Sequence, residues 1–310
     1  MNGGRILLLV TGASRGFGRC IAEEFVRQAA LANPVDLVLV ARSEAGLEGA
    51  TDAINEIARS MDVPGCVVVR RQALDLGDLD HLEANLKQLF DGIDPSRYSR
   101  AMLVNNAGSL GHITYANELP SLATLRSEMD FNITSAIWVS SRFAAIFGAK
   151  RSRLNDGVPA DGTPSEGGAE VDRGGATVAA TSGGDTARDA SKNVVVNISS
   201  LAALQPFETW GGYSSGKAAR DMFHRRVMVF FLLLAIEQAS MGGLKVLNYA
   251  PGPMITDMSR EIRSAEQFEG DLRSGKLIDP RVSAAKCLRL ALRGTFVSGS
   301  HVDFFDEEGD

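Results

Sequence analysis

The strongest constraint on this chain is a single junction. An uninterrupted apolar run, residues 6–10, passes through Thr11 straight into Gly12-Ala13-Ser14-Arg15-Gly16-Phe17-Gly18, where a helical pattern opens. A continuous apolar run reads as a strand covered on both faces, the kind found in parallel sheets. The glycines fall as G-x-x-x-G-x-G. A sharp strand-to-helix turn needs residues that accept positive φ and close backbone approach, and Gly does both without steric cost. The helix start then presents free N–H groups and partial positive charge, so the turn reads as a phosphate cradle.

The pattern repeats along the chain. Short runs rich in Val, Ile and Leu predict further strands over 36–41, 66–70, 101–105, 193–198, 245–249 and 301–305. Helical spacing of apolar residues predicts helices over 16–30, 44–60, 79–90, 211–238 and 282–292, with one or two more inside 121–147. Strand–helix alternation with short connections implies right-handed crossovers and a parallel sheet with helices on both faces. The fold class is therefore α/β: a single doubly wound Rossmann-type domain built on a seven-stranded parallel sheet. Ligands in such a domain bind beyond the carboxyl ends of the strands.

One stretch breaks the alternation. Residues from about 148 to 192 are rich in Gly, Ser, Thr, Asp and Ala, hold no aromatic residue and show no apolar period. Such a stretch cannot bury enough apolar surface to offset its ordering entropy, so a disordered surface insert is expected. It takes a large share of the 32 glycines. Elsewhere the composition is that of a globular protein, with 45% hydrophobic and 23% charged residues. Acidic residues outnumber basic ones, 38 to 32, whereas a nucleic-acid binder normally carries a basic excess. Cys20, Cys66 and Cys287 are far apart with no CxxC, so neither a metal site nor a disulfide framework is expected. The apolar run at 6–10 is too short for a secretory core, and the longest one, 227–236, is about half a membrane span. A cytoplasmic protein acting on a small molecule, without nucleic acid or membrane as partner, is the expectation.

Arg42 stands just past the second predicted strand. A dinucleotide fold carries there either an acid for a ribose 2′-hydroxyl or an Arg for a 2′-phosphate. With no acid at that position, and Arg15 available in the glycine turn, NADPH/NADP+ is the expected cofactor. The chemistry points to Tyr213 and Lys217, four residues apart on a predicted helix and hence on one face. A phenol is a poor acid–base group near its ordinary pKa of about 10, and a neighbouring cation is expected to lower it. Tyr213 would then protonate a carbonyl oxygen as hydride reaches the carbon. Ser200, thirteen residues upstream at the end of a predicted strand, is placed to hydrogen-bond that oxygen.

The combination of this glycine turn, Asn105-Asn106-Ala107-Gly108, Ser200 and Tyr213-x-x-x-Lys217 resembles the short-chain dehydrogenase/reductase family from Arg5 onwards, interrupted by the insert. The resemblance implies that Gly12, Ser14, Arg15, Gly16, Phe17 and Gly18 hold the pyrophosphate region, and Arg42 and Ser43 the ribose phosphate. It implies that Asp75 and Leu76 contact adenine and that Asn105, Asn106, Ala107 and Gly108 flank the cofactor. Lys217 would bond the nicotinamide ribose, and Met254, Ile255, Thr256 and Asp257 would close over the nicotinamide. Ser200, Tyr213, Lys217 and Asn132 make the implied catalytic set, Asn132 supporting a proton relay to the Lys.

Asn197 to Phe207, Gly216 to Met222, Leu247 to Pro253 and His301 to Asp306 further resemble the family's pterin-ketone reductases of tetrahydrobiopterin synthesis. That likeness implies a substrate site of Ser200, Tyr213, Gly252 and Asp303. The 2-amino group and ring N–H of a pterin can donate as a pair to one carboxylate. In this family the helix carrying Tyr213 packs at a dimer interface, so a homodimer is implied. Two alternatives stay open: a broader carbonyl or diketone reductase using the same residues, and a noncatalytic NADPH sensor.

Overall fold

The computed structural model describes residues 4–148, 193–237, 244–262 and 264–307. Seven parallel strands form one sheet in the order β3-β2-β1-β4-β5-β6-β7. They are β1 (Ile6–Thr11), β2 (Val35–Ala41), β3 (Val67–Ala73), β4 (Arg100–Asn105), β5 (Asn193–Ile198), β6 (Leu244–Ala250) and β7 (His301–Asp303). The order reverses between β1 and β4, which sets the ligand crevice at their carboxyl ends.

The central strands are apolar on both faces because both faces are covered. In β1, Ile6, Leu8 and Val10 belong to one core cluster while Leu7 and Leu9 belong to the other. Likewise Met102 and Val104 of β4 point into the first core, and Ala101 and Leu103 into the second. Helices α1 (Gly16–Ala29), α2 (Glu44–Ser60) and α9 (Pro280–Arg293) close the first core with Phe25, Ile54 and Leu288. Helices α3 (Leu79–Asp91) and α5 (Ser135–Phe147) close the second with Leu86, Val139 and Phe143.

One sequence expectation is resolved by the structure and two details differ from it. The region 121–147 is α4 (Leu122–Met129) and α5 joined by a single wide π-turn, Asp130–Thr134. Between β6 and α9 lie two helices that apolar period alone does not show, α7 (Asp257–Glu261) and α8 (Ala265–Arg273). The second starts at a capping box in which Ser264 and Gln267 satisfy each other's backbone N–H groups. The last strand stops at Asp303 because, after Phe304 N–H bonds Ala250 O at 2.8 Å, the chain turns, Asp306 N–H bonding Asp303 O at 3.1 Å.

The catalytic-region helix is α6 (Gly211–Glu237); its expected last residue, Gln238, lies outside the described residues. So does the expected insert over 148–192, apart from Gly148. Among the described residues no helix is long and apolar enough to cross a membrane, and no cluster of His, Cys, Asp and Glu is arranged to hold a metal.

Candidate active site

The glycine turn is built for close approach. Gly12 and Gly16 adopt φ of 68° and 56°, which L side chains rarely accept. A Cβ on Gly18 would stand 2.4 Å from Gly12 O, so helix α1 can start this close to the turn only with Gly there. A Cβ on Gly16 would meet nothing within 4 Å, which marks the open side of the turn. Arg15 precedes α1 without a capping side-chain bond, so the first N–H groups of the helix have no side-chain partner there. An anionic pyrophosphate suits that donor set. Phe17 is buried in the first core, so only its backbone can serve a phosphate.

Across the crevice, Thr11 Oγ1 accepts from the backbone N–H of both Asn106 and Ala107, each at 3.0 Å. Asn106 returns the tie, donating from Nδ2 to Thr11 O at 3.0 Å and Gly12 O at 3.3 Å. Asn105 is fully engaged as well, its Nδ2 donating to Ala136 O at 2.7 Å and Ser140 Oγ at 3.0 Å. The two Asn side chains thus hold the walls of the crevice, leaving Ala107 and Gly108 as its lining.

At the adenosine end, Arg42 and Ser43 follow β2 and are exposed. The Arg42 guanidinium lies 5.9 Å from the Phe131 ring centroid, and Ser43 Oγ caps α2 through Gly46 N–H at 3.0 Å. Asp75, past β3, is exposed and accepts from Gly77 N–H at 2.9 Å, while Leu76 is buried in the second core. Arg15 pairs with Asp257 at 2.7 Å across the crevice, both side chains being largely exposed. Such an exposed pair is weak, about 0–1 kcal/mol, so a phosphate can compete for Arg15. Met254 and Ile255 are pinned by the Ile278 strand segment, Ile255 N–H bonding Ile278 O at 2.9 Å, and Thr256 caps α7.

Ser200, Tyr213 and Lys217 converge at the carboxyl end of β5. Ser200 caps a short turn by accepting from Ala202 N–H at 3.1 Å, and its hydroxyl stands close enough to the Tyr213 phenol to pull the phenol's pKa down. Lys217 is buried, with Nζ donating to Ile198 O at 2.7 Å and lying 5.5 Å from the Tyr213 ring centroid. Asn132 sits in the π-turn with Oδ1 accepting from Ser109 N–H at 2.9 Å. Trp210 meets the Tyr213 ring edge-on at 5.4 Å and also borders an open cleft of about 630 Å³ lined by Ile262, Gln267 and Lys276. Asp303 ends β7 beside Ala250, at the same edge of the sheet as Gly252.

Electrostatics correct one expectation. Burial raises the Tyr213 phenol above its ordinary value, outweighing the Ser200 hydroxyl and the Arg220 cation, both of which pull it down. Lys217 is shifted the other way, well below the usual Lys range, first by burial and then by Arg220. The phenol therefore keeps its proton at neutral pH, as a proton donor must.

Sequence reasoning missed the residues beneath this surface. Arg220, 1% exposed, donates to Asn197 Oδ1 at 2.8 Å, to Ala107 O at 3.0 Å and to Asn105 O. Asp221 accepts from Asn197 Nδ2 at 2.9 Å and from His301 Nδ1 at 2.7 Å. His224 donates from Nδ1 to Arg220 O at 2.7 Å and accepts at Nε2 from Ser140 Oγ at 2.8 Å. The available signal was spacing: positions three, four and seven after Lys217 share its helical face.

Burial lowers His224 from 6.5 to about 4. The unfolded chain therefore binds a proton below pH 6.5 that the native state refuses until about pH 4. Stability contributed by neutral His224 is complete above pH 6.5 and is lost as pH falls toward 4, by roughly 3 kcal/mol in all. Urea denaturation of wild type and His224→Gln at pH 7, 6, 5 and 4 should show a shallower decline in the variant. Parallel curves would remove His224 from the acid-sensitive groups.

Comparison with known proteins agrees with this geometry. The short chain dehydrogenase family model matches residues 7–153 and 176–267. The chain is 34% identical to sepiapterin reductase of Rattus norvegicus, covering 99% of this chain and 100% of the relative. It is 33% identical to that of Bos taurus, with 98% and 96% covered. Benzil reductase of Bacillus subtilis (strain 168) is 27% identical over 93% of this chain and 94% of its own length. Among solved structures, a 7 alpha-hydroxysteroid dehydrogenase aligns with a TM-score of 0.65 at 20% identity, covering 96% of this chain and 91% of that one, a likeness of fold. The chain belongs to the short-chain dehydrogenase/reductase family, oxidoreductases that interconvert C=O and CH–OH groups with a nicotinamide cofactor.

Proposed function

We propose that this protein is an NADPH-dependent reductase of a pterin side-chain ketone, one step of tetrahydrobiopterin synthesis. The observation that carries the reading is the convergence of two groups at one edge of the sheet. Ser200, Tyr213 and Lys217 gather past β5 while Asp303 stands past β7, and similarity to sepiapterin reductases runs through both.

When bound, NADPH supplies the hydride. Tyr213 gives its proton to the carbonyl oxygen, which Ser200 Oγ holds by a hydrogen bond. Lys217 bonds the nicotinamide ribose and, through Asn132, joins the path that reprotonates the phenol. The first turn of α1 receives the pyrophosphate, and Arg42 with Arg15 receives the 2′-phosphate. Asp303 has one carboxylate oxygen tied to Phe305 N–H at 2.9 Å, which orients the group, and the other has no partner among the described residues. That orientation suits the paired N–H donors of a pterin. We further propose that one domain holds the whole site, and that the protein works as a cytoplasmic homodimer.

A second reading, a broader diketone reductase, is favoured by the similarity to benzil reductase. It needs Ser200, Tyr213 and Lys217 but not Asp303. Steady-state NADPH oxidation with sepiapterin and with benzil separates the two. The pterin reading requires a higher kcat/KM on sepiapterin, and equal efficiency on both would sink it. Tyr213→Phe should lower kcat by about 10²–10⁴-fold, the usual contribution of a positioned proton donor, with NADPH affinity nearly unchanged. A wild type that binds NADPH and never oxidises it with any carbonyl would instead mark a sensor.

Cofactor choice is tested at Arg42. Losing a charge-assisted phosphate contact costs about 1.5–3 kcal/mol, so Arg42→Ala should weaken NADPH binding roughly 10–100-fold and leave NADH binding nearly unchanged. Equal losses for both cofactors, read by fluorescence titration, would place the 2′-phosphate elsewhere.

A further inference from the structure

We propose that the buried pair Asp221–His301 is a positioning device that fixes the substrate anchor Asp303 relative to the proton donor Tyr213. The inference rests on the reading of Asp303 as the pterin anchor and adds how that anchor is held.

The two halves of the candidate site sit on different elements. Tyr213 and Lys217 belong to α6, and Asp303 belongs to β7. β7 is three residues long and pairs with β6 alone, through Asn248↔His301, Tyr249↔Val302 and Ala250↔Asp303. A strand this short at an edge has little backbone pairing to hold its register. A side-chain tie supplies the missing constraint. His301 opens the strand and lies two residues before Asp303, so both side chains leave the same face. Its Nδ1 donates to Asp221 Oδ2 at 2.7 Å, and Asp221 is one helical turn beyond Lys217. The two side chains are only 6% and 4% exposed. Asp221 is itself steadied from the sheet, accepting from Asn197 Nδ2 at 2.9 Å.

A packing role alone would not call for His at 301. Its Nε2 is buried with no partner among the described residues, a cost of about 1–3 kcal/mol that an apolar side chain of similar size avoids. What the imidazole adds is the directed bond to the catalytic helix. Past it, the chain is clamped again: Asp306 accepts from Asp303 N–H at 2.7 Å, and Lys286 of α9 donates to Phe304 O at 2.8 Å and to Asp306 O. The anchor thus sits on a turn that is rigid in itself and tied to α6 by one bond.

The test uses the full-length protein, NADPH, sepiapterin and benzil, which has no N–H to offer a carboxylate. His301→Leu removes the donor, His301→Asn keeps one near the place of Nδ1, and Asp303→Ala removes the anchor. Loss of one well-made hydrogen bond to a charged group predicts about a tenfold rise in KM for sepiapterin in His301→Leu. Its KM for benzil should rise far less than that for sepiapterin, its affinity for NADPH should stay at the wild-type value, and His301→Asn should recover most of the loss. In the Asp303→Ala background the additional effect of His301→Leu should vanish. A rise that persists there, or one that is the same for benzil, overturns the proposal while leaving Asp303 as anchor. If Asp303→Ala does not change KM for sepiapterin, the anchor reading falls and this proposal falls with it. Should His301→Leu fail to fold, His301→Phe, which keeps a ring of similar size but has no donor, carries the same comparison.

Discussion

One row of polar side chains organises the reactive edge of this protein. Asn105, Asn197, Asn248 and His301 stand in register across β4, β5, β6 and β7, the position where apolar residues fill the rows below. All three Asn are essentially inaccessible to water. Buried amides are tolerable only when paired, and here α6 supplies the partners. Arg220 donates to Asn197 Oδ1 and to the carbonyls of Asn105 and Ala107, while Asp221 accepts a hydrogen bond each from Asn197 and His301. Asn197 Nδ2 also donates to Asn248 Oδ1 at 2.9 Å, closing the row. A buried guanidinium and carboxylate would be costly alone, so the row and the two charges are each acceptable only because of the other. The consequence is directional. Helix α6 can seat on the sheet in one rotation, and that rotation sets Tyr213 and Lys217 over the end of β5.

The same arrangement sets the electrostatics above it. Arg220 lies one turn below Lys217, and both are buried, so the ammonium is destabilised by lost hydration and by a like charge together. Asp221 offsets part of this. The phenol of Tyr213 feels Arg220 as an attractive charge, yet burial is the larger effect and the proton stays on. The phenol is thus held in the protonated form that reduction of a carbonyl requires.

Much of this was legible in the chain itself, for reasons that differ by element. The buried strands are visible because both faces are covered, so residues 6–10 of β1 and 194–196 of β5 read as unbroken apolar runs. Gly12 and Gly18 are visible because a Cβ at either would crowd the turn, and Gly16 because its φ is positive. Ser200, Tyr213 and Lys217 are visible by spacing, and the fold does bring them together. Arg220, Asp221 and His301 were not. A charged residue on a helix is ordinarily solvated, and its burial depends on a sheet row assembled from four distant segments. The sign of the Tyr213 shift was missed for a related reason: a neighbouring cation can be guessed from spacing, whereas the depth of burial that outweighs it is a property of the packed fold. Helices α7 and α8 escaped notice because their apolar periodicity is short, although the Ser264–Gln267 capping box was present to be read.

The composition break at 148–192 meets the described fold at the other edge of the sheet. The described chain leaves α5 at Phe147 and resumes at Asn193, the first residue of β5. Asn193 Nδ2 donates to Phe147 O at 2.8 Å, and its Oδ1 accepts from Ala101 N–H at 2.7 Å at the start of β4. The two ends of the segment are therefore hydrogen-bonded to one another and to the amino edge of the sheet. The candidate site lies at the opposite, carboxyl edge, with the full length of β5 between it and Asn193. At both described ends, Phe147 and Asn193, this junction is thus separated from Ser200 by the strand that positions it.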